Sequence, residues 1–179
     1  MSFIEVDNLR KVYRIGNEKV IALDSISLKI EKGEICCILG TSGSGKSTFL
    51  NMLAGLEKAT KGTVKINGRE VTSMTEKELA EFRQETTGFI FQSYNLLASM
   101  NAVENVAMPL MFRGVNPVIR NNRAKKMLRA VGLEKRLYHK PTQMSGGQQQ
   151  RVGIARALIS KPPVVFADEP TGNLDTKTT

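Results

Sequence analysis

Residues 35–56 read Ile35-Cys-Cys-Ile-Leu39-Gly40-Thr-Ser-Gly-Ser-Gly45-Lys46-Ser47-Thr48-Phe-Leu-Asn-Met-Leu-Ala54-Gly-Leu56, and this stretch decides the fold. Gly40, Gly45, Lys46 and Ser47 complete the pattern G-x-x-x-x-G-K-[ST]. The apolar run Ile35–Leu39 predicts a strand leading into the loop, and Thr48–Ala54 predicts a helix leaving it, the setting this motif requires. Glycines let the backbone curl until the amides of Gly40, Thr41, Ser42, Gly43, Ser44, Gly45 and Lys46 point inward as an anion cradle. The following helix adds its partial positive charge. Lys46 is expected to reach outer phosphates, the Ser47 hydroxyl to sit on a Mg²⁺ ion, and Thr48 to join the nucleotide-binding residues.

A second motif lies at Met144-Ser145-Gly146-Gly147-Gln148-Gln-Gln-Arg151. Ser145 is a good N-cap, and Val152, Ile154, Ala155, Leu158 and Ile159 give the next segment an apolar helical face. The Ser-Gly-Gly backbone is then the exposed start of a helix and a second anion site. Further on, Val164-Val-Phe-Ala167 runs into Asp168 and Glu169. An apolar strand ending in two carboxylates suits Mg²⁺ binding at Asp168 and water activation at Glu169.

These motifs, in this order, resemble the nucleotide-binding subunits of ATP-binding cassette (ABC) transporters, and the resemblance covers essentially the whole chain. Ser145-Gly146-Gly147-Gln148 is similar to the family's signature motif, with Met144 where Leu is usual. In the family this motif contacts ATP held by the opposite subunit, which implies a homodimer sandwiching two nucleotides. The resemblance further implies that Tyr13 stacks on adenine. It makes Gln92 the Q-loop glutamine touching Mg²⁺ and the attacking water, and Asp175, in Asn173-Leu174-Asp175, the acidic residue of the D-loop. The strings 167–175 and 105–110 resemble a subgroup containing lipoprotein-releasing, macrolide-export and antimicrobial-peptide-export ATPases.

The fold class implied is α/β: a P-loop NTPase core of ABC type, with an antiparallel β subdomain and a helical insertion. Residues 1–94 and 161–179 are expected to form the nucleotide-binding core, and 95–160 the helical subdomain bearing the signature. Alternation such as Ile26-Ser-Leu-Lys-Ile30 predicts antiparallel strands over 3–30. Thr63–Ile66 continues through the hairpin turn Asn67-Gly68. Thr75 and Glu78 form a capping box, and Gly88–Phe91 reads as a core strand. In the family a strand follows the D-loop, lies between the phosphate-loop and carboxylate strands, and ends in a histidine that contacts the γ-phosphate. Here Glu169 is followed by ten residues, so the domain is expected to be incomplete, with C-terminal core strands missing. His139 precedes the signature and reads as a surface residue.

The implied function is an ATP-binding and hydrolysing subunit of an export complex, in which Lys46, Gln92 and Glu169 are catalytic and Ser47, Gln92 and Asp168 hold Mg²⁺. Its implied partners are a second copy and an integral membrane permease. A soluble ABC ATPase acting on ribosomes or DNA, or a non-catalytic nucleotide-binding fragment, stay open as alternatives. With 179 residues and 41% apolar content, the chain has the length and composition for one sizeable core. It holds no apolar run long enough to span a bilayer and no signal-peptide pattern at its start. The expected location is therefore cytoplasmic, peripheral on the inner membrane face. Cys36 and Cys37, adjacent in a buried strand, would point to opposite faces and make a poor disulfide pair.

The formal charge of +9 is uneven: residues 113–140 hold nine Lys or Arg against Glu134 alone. Asn116-Pro117 predicts a capped helix start and Gly132 its stop. Val118, Met127, Leu128 and Val131 are expected to face inward, and Arg120, Arg123, Lys125, Lys126 and Arg129 outward. This is either a solvated basic face or a surface near anionic lipid headgroups. Tyr138 alone falls among these charges, short of the aromatic interleaving single-strand binding prefers, so nucleic acid is not an expected partner.

Overall fold

The structure, a computed structural model, describes residues 2–171. The chain divides into two compact units, 1–81 and 82–179. The predicted D-loop residues Asn173, Leu174 and Asp175 lie outside the described residues.

The first unit is built on alternation. β1 (Ile4–Ile15) and β2 (Glu18–Ile30) pair antiparallel, from Ile4 opposite Ile30 to Ile15 opposite Glu18. β3 (Lys61–Ile66) covers the other edge of β1, and β4 (Arg69–Glu70) closes the order β2-β1-β3-β4. Asn67 and Gly68 turn β3 into β4 with φ of 49° and 76°, the left-handed pair a two-residue hairpin needs. Alternate residues Ile4, Val6, Val64 and Ile66 are buried. The phosphate-loop helix α1 (Lys46–Leu53) buries Phe49, Met52 and Leu53. At the start of α2 (Glu76–Thr86), Thr75 N donates to Glu78 Oε2 at 2.8 Å and Glu78 N to Thr75 Oγ1 at 3.3 Å, completing the expected capping box.

Residues 35–39 depart from expectation. They form no strand, Ile35 and Leu39 are 91% and 93% exposed, and Cys36 and Cys37 are exposed free thiols rather than buried ones. The reason is physical: a strand exists through its ladder, and no strand among the described residues pairs with this segment.

The second unit holds a parallel pair, β5 (Thr87–Ile90) and β6 (Val164–Ala167), in register from Thr87 opposite Val164 to Ile90 opposite Ala167. A Cβ on Gly88 would meet Ala157 O at 2.5 Å, so only glycine lets β5 approach the helix behind it so closely. The helices are α3 (Ala102–Phe112), α4 (Pro117–Ala130) and α5 (Gly146–Leu158). Val106 and Leu110 of α3, Ala124 and Leu128 of α4, and Val152 and Ala155 of α5 form their shared core. Asn116 Oδ1 caps α4 by accepting from Val118 N at 2.9 Å, and Gly132 ends it with φ of 74°. Leu128 faces inward and Met127 and Val131 pack at the margin. Val118 is 68% exposed, because as the second residue of α4 it precedes the first turn that reaches the core. Arg120 and Lys125 are half-buried rather than exposed: Arg120 Nη1 donates to Val115 O at 3.2 Å, and Lys125 Nζ lies 5.5 Å from the Tyr138 ring centroid. On α5, Leu158 is 38% exposed and lies outside the shared core.

Asn105, fully buried on α3, organises the preceding loop. Its Oδ1 accepts from Leu97 N at 2.8 Å, and its Nδ2 donates to the carbonyls of Leu97, Met100 and Asn101 at 3.0–3.1 Å. Asn105→Ala removes the side-chain partner of Leu97 N and Met100 O, while Leu97 O keeps Met100 N and Asn101 O keeps the residue-105 amide; the change is expected to cost about 2 kcal/mol. Asn105→Asp keeps an acceptor for Leu97 N but sets a carboxylate oxygen against three carbonyls, so thermal melts should rank it no better than Asn105→Ala.

Candidate functional site

In the first unit the phosphate loop is shaped by backbone conformation. Gly43 and Gly45 take φ of 79° and 87°, and Gly45 is the residue from which α1 starts. A Cβ on Gly45 would meet Ala22 O at 2.4 Å, so both conformation and space demand glycine. Lys46 Nζ donates to Gly40 O at 3.0 Å and Thr41 O at 2.9 Å, so the lysine folds over its own loop. Thr41, Ser42, Gly43, Ser44 and Ser47 are exposed. The loop is exposed, runs into the N-terminus of α1 and carries the Lys46 ammonium across it, features that suit an anion.

Tyr13, on β1, belongs to the same region. Its hydroxyl lies 3.4 Å from Thr48 Oγ1, and the Lys11 ammonium sits 5.0 Å from its ring centroid while pairing with Glu57 at 2.9 Å. Burial first, then the hydrogen bond and charge of Glu57, hold the phenol above its ordinary pKa.

In the second unit the parallel ladder delivers the acid pair. Asp168 N donates to Ile90 O at 3.0 Å, extending the pairing by one residue. Beyond it, Gln92 Nε2 donates to Glu169 Oε2 at 2.7 Å. Glu169 is exposed, with φ of 43°, and Asp168 is half-buried. Ser145 caps α5, accepting from Gln148 N at 3.3 Å while Gln148 Oε1 accepts from Ser145 N at 3.1 Å. Gly146 and Gly147 thus open α5, as the sequence predicts. His139 is half-buried, its Nε2 lying 2.8 Å from Arg136 Nη1.

Sequence reasoning missed two residues of α5. Gln150, buried, donates to Pro170 O at 2.8 Å and holds the turn after Glu169. Arg156 donates to Tyr94 O and Asn95 O at 2.8 and 2.5 Å. The available signal was Arg156's spacing from Val152 and Ile159, which sets a cation within the apolar stripe.

A glycine loop at a helix start, a capped Ser-Gly-Gly helix and a strand-end carboxylate pair define a nucleotide-binding ATPase domain. The chain belongs to the ABC transporter family, whose description matches residues 23–172. It is 54% identical over 174 residues to the uncharacterized ABC transporter ATP-binding protein MJ1508 of Methanocaldococcus jannaschii, covering 97% of this chain and 78% of that one. It is 49% identical over 172 residues to the lipoprotein-releasing system ATP-binding protein LolD of Pseudoalteromonas translucida, covering 96% and 74%. A dimeric structure of the ATP-binding cassette MJ0796 in a post-hydrolysis state, bound to ADP and Pi, superposes with a TM-score of 0.93 at 43% identity, covering 98% and 77%. The chain is thus an ABC-type ATPase cassette, the ATP-binding subunit of a transporter.

Gly45→Ala should lower ATP affinity at least ~10-fold, because the carbonyl it meets is backbone and the left-handed φ is lost; titration with a fluorescent nucleotide measures this. Tyr13 should titrate above the ordinary phenol value of about 10, and Glu57→Gln should bring its absorbance midpoint down. The sign for stability follows: Tyr13's contribution is full below the ordinary value and is lost as pH rises through the folded-state pKa.

Proposed function

We infer that this cassette powers an export complex, with hydrolysis carried out by Gln92 and Glu169. The observation that carries the reading is the 2.7 Å hydrogen bond between them, two residues past Ile90 and Ala167, the last pair of the parallel strands. Glu169, exposed at the strand end, accepts a proton from the attacking water, and the Gln92 amide orients that water. Lys46 exchanges its two loop carbonyls for phosphate oxygens and stabilises charge on the transferred phosphoryl group.

The donor chemistry fits Mg²⁺. Ser47, Asp168 and Gln92 all offer oxygen, the donor type Mg²⁺ takes. When bound, Mg²⁺ neutralises charge on the β- and γ-phosphate oxygens. Tyr13 offers its ring to adenine.

Residues 145–148 and Asp175 are assigned to the nucleotide held by a second copy, making a homodimer that closes on ATP and reopens on hydrolysis. This division makes 95–160 the helical part and 1–94 with 161–179 the nucleotide-binding part. No helix among the described residues is long and apolar enough to cross a membrane. A permease subunit is proposed to carry the transport path, on the likeness to ATP-binding subunits of transporters. The cassette then sits at the inner membrane face. The likeness to LolD supports the export direction.

In the full-length protein, Glu169→Gln should lower kcat by ~10²–10⁴-fold with ATP affinity retained. Phosphate release and nucleotide titration on the same preparation check this, and parent-like turnover would remove Glu169 from its role.

A further inference from the structure

The loop that carries Gln92 is held in an unfavourable shape. Tyr94 and Asn95 are consecutive non-glycine residues with φ of 59° and 48°. Such conformations cost energy and persist only where surrounding contacts impose them. Two backbone bonds hold it from within, Tyr94 N to Phe91 O at 3.3 Å and Asn95 N to Ser93 O at 2.6 Å, and one side chain holds it from outside. Arg156, on α5, donates through Nη2 to Tyr94 O at 2.8 Å and through Nη1 to Asn95 O at 2.5 Å. Its guanidinium carbon lies 5.9 Å from the ring centroid of Phe91, the residue before Gln92. Phe91 in turn stacks on Phe89 of β5 at 4.3 Å. One planar fork therefore grips the loop on both sides of Gln92.

The chemistry of the grip is specific. Arg156 is partly buried and pairs with no carboxylate among the described residues, so burial pulls its pKa down. A cation kept in such a place needs strong acceptors, and two adjacent carbonyls turned the same way by left-handed backbone supply them. Lysine, with a point charge and no fork, matches this pair less well. On the same helix Gln150 holds Pro170, next to Glu169. Thus α5 holds the neighbours of both partners in the Gln92–Glu169 hydrogen bond.

We propose that Arg156 is a positioning residue for ATP hydrolysis, fixing the 91–95 loop so that the Gln92 amide is aimed at the Glu169 carboxylate. The proposal rests on the assignment of Gln92 and Glu169 to hydrolysis, and it adds a residue that touches neither nucleotide nor water. It acts on kcat, because a misaimed amide leaves nucleotide affinity intact.

The test is a double-mutant cycle in the full-length protein with Arg156→Met, Gln92→Ala and their combination. Arg156→Met should lower kcat about 10-fold or more with nucleotide affinity within ~2-fold of the parent, and the double variant should turn over no more slowly than Gln92→Ala alone. Arg156→Lys should fall between Arg156→Met and the parent. Hydrogen exchange should quicken in residues 91–96 of Arg156→Met while α3 and α4 keep their protection. Additive losses, parent-like kcat in Arg156→Met, or loss of affinity and melting temperature in step with kcat would each overturn the proposal. Should Arg156→Met fail to fold, Arg156→Lys enters the cycle under the same criteria. Parent-like kcat in Gln92→Ala would overturn the underlying assignment as well, whereas a slow Gln92→Ala beside a normal Arg156→Met overturns the clamp alone.

Discussion

The second unit's chemistry depends on a single backbone hydrogen bond, from Asp168 N to Ile90 O. It continues the β5–β6 ladder one step past Ala167, the last paired residue of β6. Parallel strands point their ends the same way, so whatever follows each strand emerges side by side. Gln92 and Glu169 are 77 residues apart in the chain and 2.7 Å apart in space for this reason. Shift the register by one residue and the side chains exchange faces, leaving amide and carboxylate on opposite sides of the sheet.

What was legible in the sequence was what repeats locally. Alternation marked β1, β2 and β3, and Asn67-Gly68 marked a turn whose two positive φ angles the structure bears out. Caps at Thr75, Asn116 and Ser145 stood where side-chain chemistry alone put them. The phosphate loop was readable because glycine spacing encodes backbone shape directly. Residues 35–39 carry the right composition for a strand and form none, since composition describes a residue's preference and a ladder requires a neighbour.

The contacts of Asn105, Gln150 and Arg156 were illegible for a different reason. Each donates to backbone carbonyls of loops, at Leu97, Pro170 and Tyr94 among them. Such acceptors have no residue identity, so the spacing that sets Arg156 in the apolar stripe marks the cation and not its partners. The loops themselves contain no repeating period, and their left-handed residues include Tyr94, whose type does not advertise that conformation.

Lys46 Nζ donates to the carbonyls of Gly40 and Thr41. Of the three ammonium donors one is left over, and an anion that takes more than that one competes with a charge-assisted bond to the loop. A lone small anion replaces that bond with little to spare, while a triphosphate also meets the loop amides and the start of α1. The self-contact thus sets an entry threshold, favouring ligands with several linked phosphates over the single anions that outnumber them in a cell.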